Sequence, residues 1–228
     1  MKPIISLLIL LAASLVHAET HDEVVDRAFA SMELNLRDYW SYTETNQKDD
    51  GLFVARFDPR LPEDQRWDLR SVDDREPTED ELIEFREDKA NSHRDDSDSE
   101  DSETQSMVAD GSLELLEETD LYWQFRFKPR TDSDDEDKFM KAVDGTLQVV
   151  KDGHYVAWIR MRNREPIKPG KGVKLEIFDT RLVFAPAYDG GPVLPESVET
   201  RVKGRAMFVI RFDEKEQVSY SDFERAIE

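Results

Sequence analysis

The chain contains no cysteine. That absence excludes disulfide stapling, thiolate metal centres, a cysteine nucleophile and a lipid-modified N-terminal cysteine. Histidine is nearly as scarce, with four in all. His17 falls in the leader described below; His21, His93 and His154 stand singly, in a helix start, an acidic run and a hairpin turn. No close pair exists to hold zinc, and no histidine sits where the base of a serine triad would be, nor is there a Gly-x-Ser-x-Gly elbow. Gly170 and Gly172 flank Lys171 without the spacing or the trailing Lys-Ser/Thr of a phosphate loop. Paired carboxylates such as Glu117-Glu118 read as surface residues. No catalytic residue, metal site or cofactor is therefore expected. Basic residues are in the minority, 31 Lys and Arg against 52 Asp and Glu. The net charge of −21 predicts that the chain avoids nucleic acid and anionic membrane surfaces.

Long apolar runs are also missing, apart from one near the start. Lys2 is followed by Leu7 to Ala13, then Val16 and Ala18 at the spacing of a signal-peptidase site. The run is far shorter than the roughly 20 residues that span a bilayer. Residues 1–18 thus read as a secretory signal peptide, cleaved to leave Glu19 first, and no other segment is membrane-spanning. The remainder, 19–228, is expected to form a single domain.

Thr20 and Glu23 form a capping box, and Val24, Val25, Ala28, Phe29 and Met32 follow at helical spacing, which predicts a helix at about 21–35. Trp40 to Thr43, the turn residues Asp49-Asp50-Gly51 and Leu52 to Phe57 predict a hairpin. Trp67, Leu69 and Val72 suggest a short strand. A second capping box, Thr78 with Glu81, predicts a helix at about 79–88.

From Glu87 to Ser106 there is no aromatic residue and no aliphatic larger than Ala. Such a segment cannot bury enough apolar surface to offset its ordering entropy, so 87–106 reads as a disordered acidic insert within the domain. Its Asp/Ser run at 95–103 lacks the turn Gly and terminal Glu of a calcium loop. Asp132 to Asp137 is a second acidic interruption.

The rest alternates with period two. Leu121, Trp123, Phe125 and Phe127 interleave with Tyr122, Gln124, Arg126 and Lys128, and Thr146–Val150 and Tyr155–Arg162 flank Asp152-Gly153. Val173, Leu175 and Ile177 continue the pattern, with Leu182 and Phe184 opening a further strand. Val202 to Phe212 reads as one strand with Val202, Ala206, Phe208, Ile210 and Phe212 on one face, and Ser219–Ile227 as a short amphipathic tail. Regular strands joined by turn residues mean an antiparallel sheet.

Several segments carry a resemblance. Arg56-Phe57-Asp58-Pro59, Trp67-Asp68-Leu69, Ser71-Val72-Asp73 and Arg75-Glu76-Pro77-Thr78 resemble a family of uncharacterised exported proteobacterial proteins. So do Gly145 to Val149, Pro166 to Pro169, Leu194-Pro195 and Tyr220 to Phe223. Their layout is similar to that of the LolA-like periplasmic lipoprotein carriers. The resemblance implies an α+β, mostly β fold, in which a curved antiparallel sheet forms an incomplete barrel covered by a few helices, and it implies a periplasmic location.

Two functional readings follow. In the first, a binding or carrier protein holds a lipid or a lipoprotein acyl chain against Trp123, Phe125, Phe127, Phe208, Ile210 and Phe212, with the helices as cover. In the second, the core is filled and the chain is an interaction or sensor module that binds an envelope protein partner.

Overall fold

The structure is a computed structural model that describes residues 19–97, 107–131, 139–170, 172–207 and 210–226, and over 90–97 the backbone alone. The expected leader (residues 1–18), residues 98–106 of the expected insert, the acidic patch Asp132–Asp137 and Phe208 lie outside the described residues.

The fold is mostly β. Helices α1 (His21–Ala30) and α2 (Leu36–Tyr39) precede strands β1 (Trp40–Lys48), β2 (Gly51–Phe57) and β3 (Trp67–Val72) and helix α3 (Glu79–Ser97). Then come β4 (Glu114–Glu118), β5 (Tyr122–Phe127), β6 (Val143–Val150), β7 (Tyr155–Asn163), β8 (Ile167–Gly170), β9 (Val173–Pro186), β10 (Val193–Ala206) and β11 (Ile210–Arg225). One curved, unclosed antiparallel sheet runs β3-β2-β1-β11-β10-β9-β7-β6-β5-β4, with β8 beside β9. Strand β1 pairs with β11, so the final hairpin β10–β11 lies in the middle of the sheet and joins the N-terminal strands to the rest.

The Thr20 capping box forms as expected, but the first helix stops at Ala30 instead of continuing to 35. Met32 makes a parallel bridge to Val193, and the Glu33 amide donates to the Val193 carbonyl at 3.1 Å. That contact with the start of β10 takes the chain out of helical geometry. The second capping box also forms, with the Glu81 amide and the Thr78 hydroxyl 3.4 Å apart. Its helix does not end at 88 but runs to Ser97. The first half of the predicted insert is thus helical: a composition too polar for a core still contains good helix formers.

The C-terminal third differs most from its sequence pattern. Val173 to Phe184 belong to one long strand, not two. Val202–Phe212 is not one strand but the tip of a hairpin, in which Ala206 pairs with Ile210 and Gly204 with Phe212. The expected tail is the end of β11, paired with β1. The register explains why alternation concealed the turn. Partners are placed symmetrically about position 208, so even-numbered residues stay on one face in both arms.

The core lies on the face covered by the helices. Val24, Val25, Ala28 and Phe29 of α1 pack with Phe125, Phe127, Leu147, Val149, Val156 and Ile159. The strict alternation of buried and half-buried positions along β6 marks the same face.

Candidate functional site

The predicted site residues do not converge. Phe125 and Phe127 are fully buried at 0% and 1% exposure. Phe127 lies flat against Gly145, its pairing partner on β6, where an added Cβ would come within 2.4 Å of three ring carbons, so no other residue fits there. The His21 ring from α1 sits 5.4 Å from Phe125, centroid to centroid. Trp123 is half-buried at the end of the same face, with the Lys151 ammonium 4.4 Å above its ring. Lys151 is held there by Glu118 at 2.7 Å, and this hydrogen bond lowers the Glu118 pKa.

The other half of the predicted set is elsewhere. Ile210 is 57% exposed, and Phe212 is half-buried over Gly204. Strands β6, β7, β9 and β10 separate β5 from β11, which at about 4.8 Å per strand is about 24 Å along the sheet. The two groups are therefore not neighbours along the sheet.

A second buried centre, which the sequence reading did not single out, gathers the family-like segments. Tyr42 contacts Phe57, Trp67, Tyr220 and Phe223 at centroid distances of 5.2 to 6.2 Å. Phe57 comes from the first of those segments, Trp67 from the second, and Tyr220 and Phe223 from the last. Arg56 donates to the Asp222 carbonyl at 2.8 Å, linking the first segment to the last. Their shared role is architectural: they close β1 between β2 and β11. Beside this cluster Glu44 receives Lys89 at 2.7 Å, with both side chains mostly buried, and the Lys89 ammonium lies 3.9 Å from the Trp67 ring centroid. Burial, with the Glu44 charge second, pushes the Tyr42 hydroxyl pKa upward and that of Tyr220 up to about 12. Lys89 belongs to the stretch expected to be a disordered insert, yet it anchors α3 to the sheet.

The opposite face of the sheet is charged. Register places Arg160 opposite Arg181, Arg201 opposite Lys215, and Arg205 opposite both Lys174 and Arg211. Some of these cations are compensated: Arg160 forks onto Asp179 at 2.5 and 2.7 Å, and Arg201 onto Asp213 at 3.0 and 3.1 Å. Arg162, Arg181, Arg211 and Lys215 have no ion pair among the described residues. A groove of about 600 Å³ is lined by Arg160, Arg181, Arg201, Lys215, Glu199 and Gln217, among others. Another of about 590 Å³ is lined by Lys203, Arg205, Arg211 and Phe212 with Glu176 and Asp213. Such grooves suit charged groups, not hydrocarbon.

Two sequence features could have revealed this surface. Residues 166–175 and 200–212 contain no acid, although acids make up 52 of 228 residues in the whole chain, and the topology brings both stretches to one end of the sheet.

Comparison with family models, with curated proteins and with solved structures gives no match. Among the described residues no helix is long and apolar enough to cross a membrane.

Proposed function

We propose that the chain is an exported, non-catalytic interaction module of a bacterial envelope, which meets its partners with its surface while its core stays filled. The observation that supports this reading is the packing of Phe125 and Phe127. Both are sealed between α1 and the sheet, and the Phe127 ring occupies the space above Gly145. A carrier would need a hollow on this face, bordered by side chains with room on one side. The signal-like leader supports export, and the charged open face offers the polar area that a reversible interface uses.

The test is a titration of the purified mature protein with N-phenylnaphthylamine, joined to native mass spectrometry of protein taken from the periplasm. The module reading expects no saturable probe binding and no copurifying lipid. Saturable binding together with a bound lipid would return the assignment to the carrier.

A further inference from the structure

We propose that the unpaired edge of β11, at residues 210–214, is where a second copy of this chain adds its own β11, so that two sheets join into one. This contact names a partner beyond the surface-binding reading above, and it holds whether or not the core is filled.

Strands β9, β10 and β11 outrun their neighbours. On the β9 side, β7 stops pairing at Arg162, opposite Asp179, and β8 takes over by pairing with Leu175 and Val173. On the β11 side, β1 stops at Lys48, opposite Glu216. No strand among the described residues takes its place beside 210–214. The fold thus covers one flank of this arm and leaves the other open for about 17 Å, at about 3.4 Å per residue.

The open flank presents main-chain hydrogen-bonding groups. Lys215 turns its amide outward, donating to the Asp49 carboxylate at 3.3 Å. In an antiparallel strand every second residue directs its N–H and C=O to the same side, so Asp213 and Arg211 turn theirs outward as well. The two outermost strands of the sheet are better protected. Val72 of β3 exchanges amide hydrogen bonds with Arg75, both at 3.0 Å, on the side away from β2, and β3 is bulged between Leu69 and Ser71. Strand β4 is bulged between Leu115 and Glu117. Bulges and covered ends are devices that keep sheets from pairing edge to edge. The β11 arm has neither, for its ladder with β10 runs unbroken from Ser219 to Ile210.

The side chains choose the partner. Two copies related by a two-fold axis perpendicular to the sheet pair antiparallel with like faces opposed, so the register must centre on a single residue. Centring on Arg211 sets that arginine against the partner's Arg211. Centring on Asp213 sets it against the partner's Asp213, and Arg211 against the partner's Lys215. Centring on Phe212 sets Arg211 opposite the partner's Asp213, twice by symmetry, and brings the outward amides of these residues face to face. Arg211 has no ion pair among the described residues, whereas Asp213 already holds Arg201 and Lys203 at 3.0 and 3.3 Å. The charges therefore fix the register, and the main-chain bonds with the Phe212 contact supply the attraction.

The experiment is sedimentation equilibrium of the mature protein over a wide concentration range, joined to amide hydrogen exchange. A reversible monomer–dimer equilibrium is expected, with exchange at Arg211 and Asp213 slowed in the dimer and exchange in β3 and β4 unchanged. Arg211→Asp and Asp213→Arg should each weaken self-association by roughly tenfold or more, because each opposes like charges twice. Mixed in equal amounts, the two variants should pair with each other, since every opposed charge is then of opposite sign. Arg211→Pro removes an outward N–H that β10 does not use, so it should leave the melting temperature nearly unchanged and abolish the dimer; it serves as the check if Asp213→Arg does not fold. A protein that stays monomeric throughout, a dimer protected elsewhere, a dimer that survives Arg211→Pro, or folded charge variants that do not pair in the mixture would each overturn the proposal. The core-probe titration is unaffected by any of these results, so the two readings fail separately.

Discussion

The two faces of this sheet are built on opposite terms. On the helix-covered face β5, β6 and β7 contribute alternate apolar side chains that pack with one another and with α1, so sequence pattern, register and packing agree. On the open face the same registers bring cation against cation, at Arg160–Arg181, Arg201–Lys215 and Arg205–Arg211. The first arrangement gains from folding alone. The second is a mixed array, in which the like-charge contacts are offset by cations set opposite acids, as at Arg181–Glu199, Arg201–Asp179 and Lys203–Asp213. The difference teaches where to look: net charge averages the faces and predicts repulsion from every anion, whereas register separates them and finds a cationic end.

The largest break in this comparison should come from the covered face. Phe125→Ala removes a fully buried ring and should cost roughly 3–5 kcal/mol, including the cavity left behind. Phe212→Ala, beside a solvent-open groove, should cost much less. Urea denaturation of both variants decides it, and equal losses would mean that the hairpin end of the sheet is packed as tightly as the centre of the core.

A smaller loss should follow Lys89→Ala, which leaves the mostly buried Glu44 carboxylate without its cation. About 2 kcal/mol is expected, below the value for a fully buried pair because both groups keep some solvent. Replacing 87–106 by a Gly/Ser linker should cost at least as much, since Lys89 goes with it. If the linker variant melts like the wild type, the Lys89–Glu44 contact contributes nothing.

The same aromatic centre gives a pH dependence. Tyr220 titrates near 10 in the unfolded chain and is raised to about 12 in the folded one. Below pH 10 its hydroxyl is protonated in both states and stability is intact. From pH 10 to 12 the unfolded chain ionises first, so stability should fall across that window, by about 2 kcal/mol for a shift of this size. Tyr220→Phe should flatten the decline. An unchanged alkaline limb in that variant would place the sensitivity elsewhere.

The legibility of the chain follows the same division. The hairpin at Asp152-Gly153 was readable because Gly153 sits at φ +84°, a conformation that advertises itself through residue type. Both capping boxes were readable for a similar local reason. The β10–β11 turn was not, because Met207 occupies a left-handed position without a turn residue and the symmetric register preserves the alternation through the fold. The end of α1 escaped notice because a contact with Val193, far along the chain, sets it. Of the six residues expected to line a cavity, the β5 trio lies on the covered face, as its alternation implied. The β11 members were grouped with it because periodicity assigns residues to a face but says nothing of how many strands lie between them. Lys89 and the open-face cations were passed over for a related reason: their significance lies in what they oppose.

The smallest effect is also the one that most directly separates the two faces. Arg211 is exposed, has no ion pair among the described residues and stands opposite Arg205, which is held by Glu176 at 3.3 Å. Replacing Arg211 by Gln keeps a strand-compatible side chain, removes one half of a like-charge pair and disturbs no hydrogen bond among those described. On a face shaped by stability alone such a change would be neutral or harmful. Here it should raise stability by a few tenths of a kcal/mol, the low end of the cross-strand range of about 0.2–1 kcal/mol, and the gain should shrink in high salt as the repulsion is screened. Thermal melts at low and high salt measure the gain and its screening. A variant that is less stable at low salt would show that the opposed arginines do not repel in the folded chain.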